Sequence, residues 1–256
     1  MAFTSLMYHS LSDGRHCDRL YPKYTTRLAT FREHLRALQD EGFHLCSFRD
    51  LLDANESGCP LPEKTCALTF DDGHRSSLDF ADAMREARVT GTFFLTADYC
   101  RGRDEFLKAG EVCELAAAGF DFGAHGVTHR PLKFLPPDEC SRELAESRAW
   151  LGEILGAPVR SMSLPAGQGG GDVIARAFQA GYLLVGNSRE AANRTLGVPG
   201  EINRFVVLAG HTARDVVRIA SASPVYVFRR HLRAAAIWLP KRLLRPYQKT
   251  RSDDSL

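Results

Sequence analysis

The chain has no Cys-x-x-Cys pair, and its seven cysteines are an odd number. That spacing argues against a thiolate zinc site and against a disulfide framework, and it suits reduced thiols packed as small side chains. No apolar run is long enough to cross a bilayer. No charged-then-apolar segment opens the chain, because Met1-Ala2-Phe3-Thr4-Ser5 leads straight into a strand-like run, so the expected compartment is the cytoplasm. Internal repeats are missing too. The glycine-rich stretch Gly167-Gln168-Gly169-Gly170-Gly171 lacks the Lys-Ser/Thr of a phosphate-binding loop and the spacing of a dinucleotide fingerprint, so it reads as the rim of a cleft. A net charge of +2 says little about partners. What is present is an ordinary apolar fraction of 44% over 256 residues, enough for one large domain or one domain with a tail.

Apolar, β-prone runs alternate with helical patterns. Strands are expected at 3–8, 65–70, 92–96, 120–124, 159–164, 182–186 and 203–208. Thr30-Phe31-Arg32-Glu33 has the form of a capping box opening a helix to about Asp40, with Gly42 beyond it. Ser47-Phe48-Arg49-Asp50 opens a short second helix, and 53–64 reads as loop. Further helices are expected near 76–88, 108–118, 138–155 and 172–180. Strands that alternate with helices imply parallel pairing and an α/β architecture.

Chemistry concentrates at two strand ends. The run Cys66-Ala67-Leu68-Thr69-Phe70 ends in Asp71-Asp72-Gly73. Alone, such a pair is usually a turn and helix cap. About fifty residues on, Phe120-Asp121-Phe122-Gly123-Ala124 runs into His125-Gly126-Val127-Thr128-His129, two imidazoles four positions apart. One helical turn would put both on one face, and two His with one carboxylate form a common ligand set for a catalytic divalent ion. In barrels of strand–helix units, active groups collect at such strand ends.

These segments resemble the polysaccharide deacetylases, also called NodB-homology domains or family-four carbohydrate esterases. The family's Thr-Phe-Asp-Asp-Gly is matched unchanged by residues 69–73, and its His-Ser/Thr-x-x-His by His125 to His129 with Gly126 in place of the hydroxyl residue. Its Arg-x-Pro-Tyr is replaced by Ser163-Leu164-Pro165-Ala166-Gly167, and Leu6-Met7-Tyr8-His9 is similar to the first strand of many members. The resemblance covers roughly residues 3 to 210. It implies an irregular (β/α) barrel of about seven strands, with 1–222 as the catalytic domain. It also implies Asp72, His125 and His129 as ligands of one divalent ion, zinc first, with cobalt, nickel or manganese as alternatives. Asp71 is then the general base and the Ala166 backbone N–H an oxyanion donor. Arg204, at the start of a late strand, is a candidate to replace the missing arginine. His9 and Pro165 are candidate substrate contacts. His211 is a further candidate for catalytic acid, but the start of a helix near Thr212 accounts for it better.

The implied activity is metal-dependent hydrolysis of an N-acetyl group on an amino sugar in a glycan, glycolipid or glycoside intermediate. A hydrolase of another amide or of an O-acetyl ester is an alternative, as is a degenerate member that binds sugar without turnover; the intact Asp71 argues against the last. Residues 223–256 form a basic segment in which Phe228, Leu232, Ala235, Ala236 and Leu239 fall at helical spacing. It is expected either to pack as a helix on the barrel or to rest on anionic lipid at the inner face of the membrane. No nucleic-acid motif accompanies its charge.

Overall fold

The computed structural model describes residues 2–18 and 22–222. The basic segment 223–256 lies outside the described residues. Strands β1 (Thr4–Tyr8), β2 (Ser10–Leu11) and β3 (Thr25–Thr26) precede helix α1 (Leu28–Asp40). Then come β4 (His44–Cys46), α2 (Phe48–Glu56), β5 (Thr65–Phe70), α3 (Ser77–Glu86), β6 (Thr92–Leu95), α4 (Ala97–Gly102) and α5 (Ala109–Ala117). The chain continues through β7 (Asp121–Ala124), α6 (Pro137–Leu155), β8 (Ser161–Ser163), α7 (Gly171–Gln179), β9 (Leu184–Gly186), β10 (Gly200–Ile202), β11 (Phe205–Val206) and α8 (Ala213–Ala220).

The main sheet is parallel and runs β10-β9-β8-β7-β6-β5-β1-β11. β4 pairs with the first half of β5, and β6 pairs with its last two residues. The sheet has nine strands, against about seven expected from the sequence. The two additions, β4 and β10, have three residues each, too few to show a period. Only Asn203 and Arg204 separate β10 from β11, which form opposite edges of the sheet. The chain itself therefore links the two edges of the curled sheet, and Arg204 sits at that link.

Strand periodicity decides what faces the barrel interior. Cys66, Leu68 and Phe70 of β5 pack outward with Phe31 and Leu35 of α1 and Phe80 and Met84 of α3. Ala67 faces inward with Phe3, Phe94, Leu184 and Ile202, and Phe48, Leu51 and Leu52 of α2 close that inner cluster. On the same count Thr69 and Asp71 point inward, and His125 and Ser163 follow Gly123 and Ser161 on the inner side. The sequence alternation thus sends the functional side chains to one end of the barrel lumen.

Inside, space is tight at Gly123: a Cβ there would lie 2.5 Å from Phe94 Cδ1 and 2.7 Å from Ser161 Oγ. Gly123→Ala is expected to cost about 1–3 kcal/mol of stability through overpacking. A thermal midpoint equal to that of the parent would show that Phe94 and Ser161 yield freely.

Several local expectations are corrected. α1 begins at Leu28, not Thr30, with no side-chain cap on its N-cap residue; Asp13 Oδ1 accepts the Leu28 N–H at 2.6 Å from a distant loop. α2 does carry the Ser47–Asp50 capping box, but it runs to Glu56, into the stretch read as loop. The late strand expected at 203–208 shrinks to Phe205–Val206.

Candidate metal centre and active site

Backbone bonds fasten each functional loop where its strand ends. The Asp71 N–H donates to Tyr8 O at 2.9 Å, the His125 N–H to Leu95 O at 2.8 Å and the Leu164 N–H to Gly186 O at 2.9 Å. Residues 125–129 are not a helical turn, contrary to the spacing argument. They form a loop in which Gly126 (φ 75°) and His129 (φ 63°) are left-handed. Asp72 (φ 75°) and Ala166 (φ 55°) share that conformation. Non-glycine residues there cost about 1–2 kcal/mol each, strain that persists where surrounding structure imposes it.

The loop brings three candidate ligands together. One donor atom each from Asp72, His125 and His129 lies within 4.8 Å of the others. Asp72 Oδ1 is 3.3 Å from His125 Nε2 and 3.1 Å from His129 Nε2. It is buried and makes a hydrogen bond to neither. The His125 Nδ1–H is directed at Ser163, whose backbone oxygen is 3.0 Å away and whose hydroxyl is also within reach. With its proton at Nδ1, His125 turns a lone pair toward the carboxylate. Acceptors converging on a buried point fit a divalent cation. The charges of the cluster also act on one another's titration. Burial opposes charge on both groups, yet the imidazoles beside Asp72 hold its carboxyl well below the usual range. Asp71 and Asp72 raise His125.

Asp71 is buried beside this cluster. Arg204 Nη1–H donates to its Oδ1 at 2.6 Å and Nη2–H to its Oδ2 at 2.8 Å, a two-pronged pair. Burial pushes the Asp71 carboxyl up, but the Arg204 charge and then the nearby His125 outweigh it, so its pKa lies below the ordinary value. Arg204 also donates to Asn187 O and Thr69 Oγ1 and lies over the Phe94 ring. A Cβ on Gly186 would sit 2.9 Å from its Nε, so glycine leaves the room the guanidinium occupies. Arg204 is 0% exposed and does not line the cleft, so it reaches the reacting groups only through Asp71. The sequence did not reveal the role of Ser163, whose hydroxyl donates to Asp71 Oδ1 at 3.2 Å and so bridges it to His125.

Above these groups is a cleft of about 470 Å³ lined by His9, Asp71, Asp72, His125, His129 and Ala166, with Tyr24 and Tyr99 among its other walls. His9 is on the inner face after β1, and its buried Nδ1 has no hydrogen-bond partner. Burial lowers its pKa, against the pull of Asp72 and Asp71. Pro165 is buried at the head of a one-turn 3-10 segment, Pro165–Gly167, and Ala166 faces the cleft instead. Pro165, the expected substrate contact, shapes the turn from beneath. His211 is not on the cleft either; its Nδ1 accepts the Leu208 N–H, and Thr212 caps α8.

Residues 59–185 match the family model described as "Polysaccharide deacetylase". YxkH of Bacillus subtilis (strain 168) is 25% identical over 195 residues, which are 75% of this chain and 67% of that protein. The chitooligosaccharide deacetylase of Bradyrhizobium sp. (strain ANU 289) is 32% identical over 121 residues, 46% of this chain; the match spans 53% of that relative's length. Among solved structures, the Streptococcus pyogenes deacetylase PplD superposes with a TM-score of 0.75 at 19% identity, covering 86% of this chain and 98% of PplD. Strand ends, sheet order and these likenesses agree, and the chain belongs to the polysaccharide deacetylase family.

Proposed function

We propose that the chain is a divalent-metal-dependent hydrolase that removes the N-acetyl group from an amino sugar in a glycan, glycolipid or glycoside intermediate. The observation that carries this is the Arg204–Asp71 pair, which sets an ionised carboxylate beside the Asp72, His125 and His129 donors. The chitooligosaccharide deacetylase supports the choice of an N-acetylated sugar.

Asp72, His125 and His129 would hold a divalent ion, zinc first, which would supply a Lewis acid for the carbonyl and acidify water. Asp71 takes the proton of the attacking water. Arg204 and Ser163 hold that carboxylate in place and ionised. The backbone N–H of Ala166 is the donor assigned to the developing oxyanion. The C–N bond breaks, the departing nitrogen takes up a proton, and the products are a free amine and acetate. His9 offers its unpartnered Nδ1 to the substrate, and Tyr24 and Tyr99 flank the sugar.

The test measures acetate and primary amine from an N-acetylglucosamine oligosaccharide, with zinc restored and with chelator added. Equal yields of the two products, lost with chelator, are expected. Cleavage of an O-acetyl sugar with no amine released from any N-acetyl sugar would sink the amide reading.

A further inference from the structure

The loop joining His125 to His129 is held from both sides, and one of its anchors comes from far along the chain. Its carbonyls are used first: Gly126 O accepts the Ala97 N–H at 3.2 Å and Val127 O accepts the Asp98 N–H at 2.9 Å, both from the start of α4. Its donors converge on Glu143 of α6. The Val127 N–H reaches Glu143 Oε2 at 2.6 Å and the Thr128 N–H reaches the same oxygen at 3.1 Å. The Thr128 hydroxyl donates to Oε1. Glu143 is 7% exposed, and among the described residues no basic side chain forms an ion pair with it. A buried carboxylate is costly unless donors satisfy it, and here the satisfying donors are those of the ligand loop.

Gly126 fits this account. It stands where the family has a hydroxyl residue, and a Cβ there would lie 3.2 Å from Glu143 Oε2 at a φ of +75°. Glycine thus lets the carboxylate approach the loop backbone. The clamp also bears on strain, because His129 is left-handed and follows Thr128 directly. A loop released from Glu143 would relax His129 toward ordinary backbone angles and away from Asp72.

We propose that Glu143 is a positioning residue for the metal centre: its carboxylate, bound to Val127 and Thr128, sets the spacing of His125 and His129. The assignment rests on the metal reading of Asp72, His125 and His129. It makes no contact with substrate and acts only through the loop.

The test uses the full chain, stripped with chelator and titrated with zinc against a chromophoric competitor, with the cobalt absorption spectrum as a second readout. Glu143→Gln keeps the shape but turns an amide nitrogen toward a donor. It is expected to weaken zinc binding by about 10- to 100-fold, the range found when partners of metal ligands are lost. The cobalt spectrum should change as well. Thr128→Val removes only the hydroxyl arm at a more accessible position, so it guards against a variant that fails to fold. It should weaken zinc binding less, and the double variant should lose less than the product of the two single losses, because both act on one bond. Zinc affinities within twofold of the parent in both single variants would overturn the proposal, even if melting temperatures fell, since that would make Glu143 merely structural. A parent chain that took up no zinc would fail differently, by removing the metal reading itself.

Discussion

Asp71→Asn is expected to lose about 100- to 10,000-fold in turnover, the usual contribution of a positioned base, while zinc binding stays close to normal. The amide keeps the carboxylate's shape, and Asp71 is not among the converging donors. Its oxygen can still accept one Arg204 N–H, but the second prong is lost and a buried guanidinium faces a neutral group. Breaking a buried pair from one side typically costs about 3–5 kcal/mol, so the thermal midpoint must be measured beside the rate. Turnover near the parent value in a folded variant would remove Asp71 from the base role. Loss of zinc together with turnover would make it a ligand.

The second large effect is expected at Arg204. Arg204→Met leaves apolar volume beside a buried carboxylate that has lost its counter-charge, a loss of roughly 3–5 kcal/mol near neutral pH. Arg204→Lys should recover only part of it, because an ammonium cannot match the two-pronged geometry. The pH dependence follows from the direction of the Asp71 shift. In the parent the folded pKa lies below the unfolded value, so the pair's stabilisation is present above the unfolded pKa of about 3.9. It is lost as pH falls through the folded value. In Arg204→Met burial is opposed only by the nearby imidazoles, so the folded pKa moves up from its parent value. The stability gap between parent and variant should therefore widen as pH rises from acid toward neutral. Thermal midpoints from pH 4 to 8 check this; a gap that does not change with pH would show that Arg204 does not stabilise the ionised form.

Much of the site is legible from residues 66 to 72 alone. The alternation of Cys66, Leu68 and Phe70 with Ala67 and Thr69 assigns inward and outward faces, and counting on places Asp71 in the lumen. The His pair was legible as a pair, but not in its conformation. A spacing of four suggests a helical turn, whereas a left-handed Gly126 and a carboxylate sixteen positions beyond Val127 hold a loop instead. The second influence is not local. The start of α1 is a similar case, because its first donor is satisfied by Asp13 and not by an adjacent cap. The position of Arg204 before a late strand nominates it from sequence. That it lies fully buried against Asp71 depends on the link between β10 and β11, which no strand pattern displays. α4 went unseen because six residues are too few to show a helical period. In the sequence alone, the exchange of the family's arginine for Ser163 reads as a loss. In the structure a hydroxyl suffices there because charge arrives from Arg204 and the serine joins Asp71 to His125.

Everything proposed for catalysis depends on Asp72, His125 and His129 sharing one divalent ion. The most direct measurement is zinc titration of the chelator-stripped chain beside a variant with all three residues changed to alanine, each checked for fold by circular dichroism. One zinc per parent chain is expected, and none held tightly by the folded variant. A folded triple variant that bound zinc as tightly as the parent would contradict it.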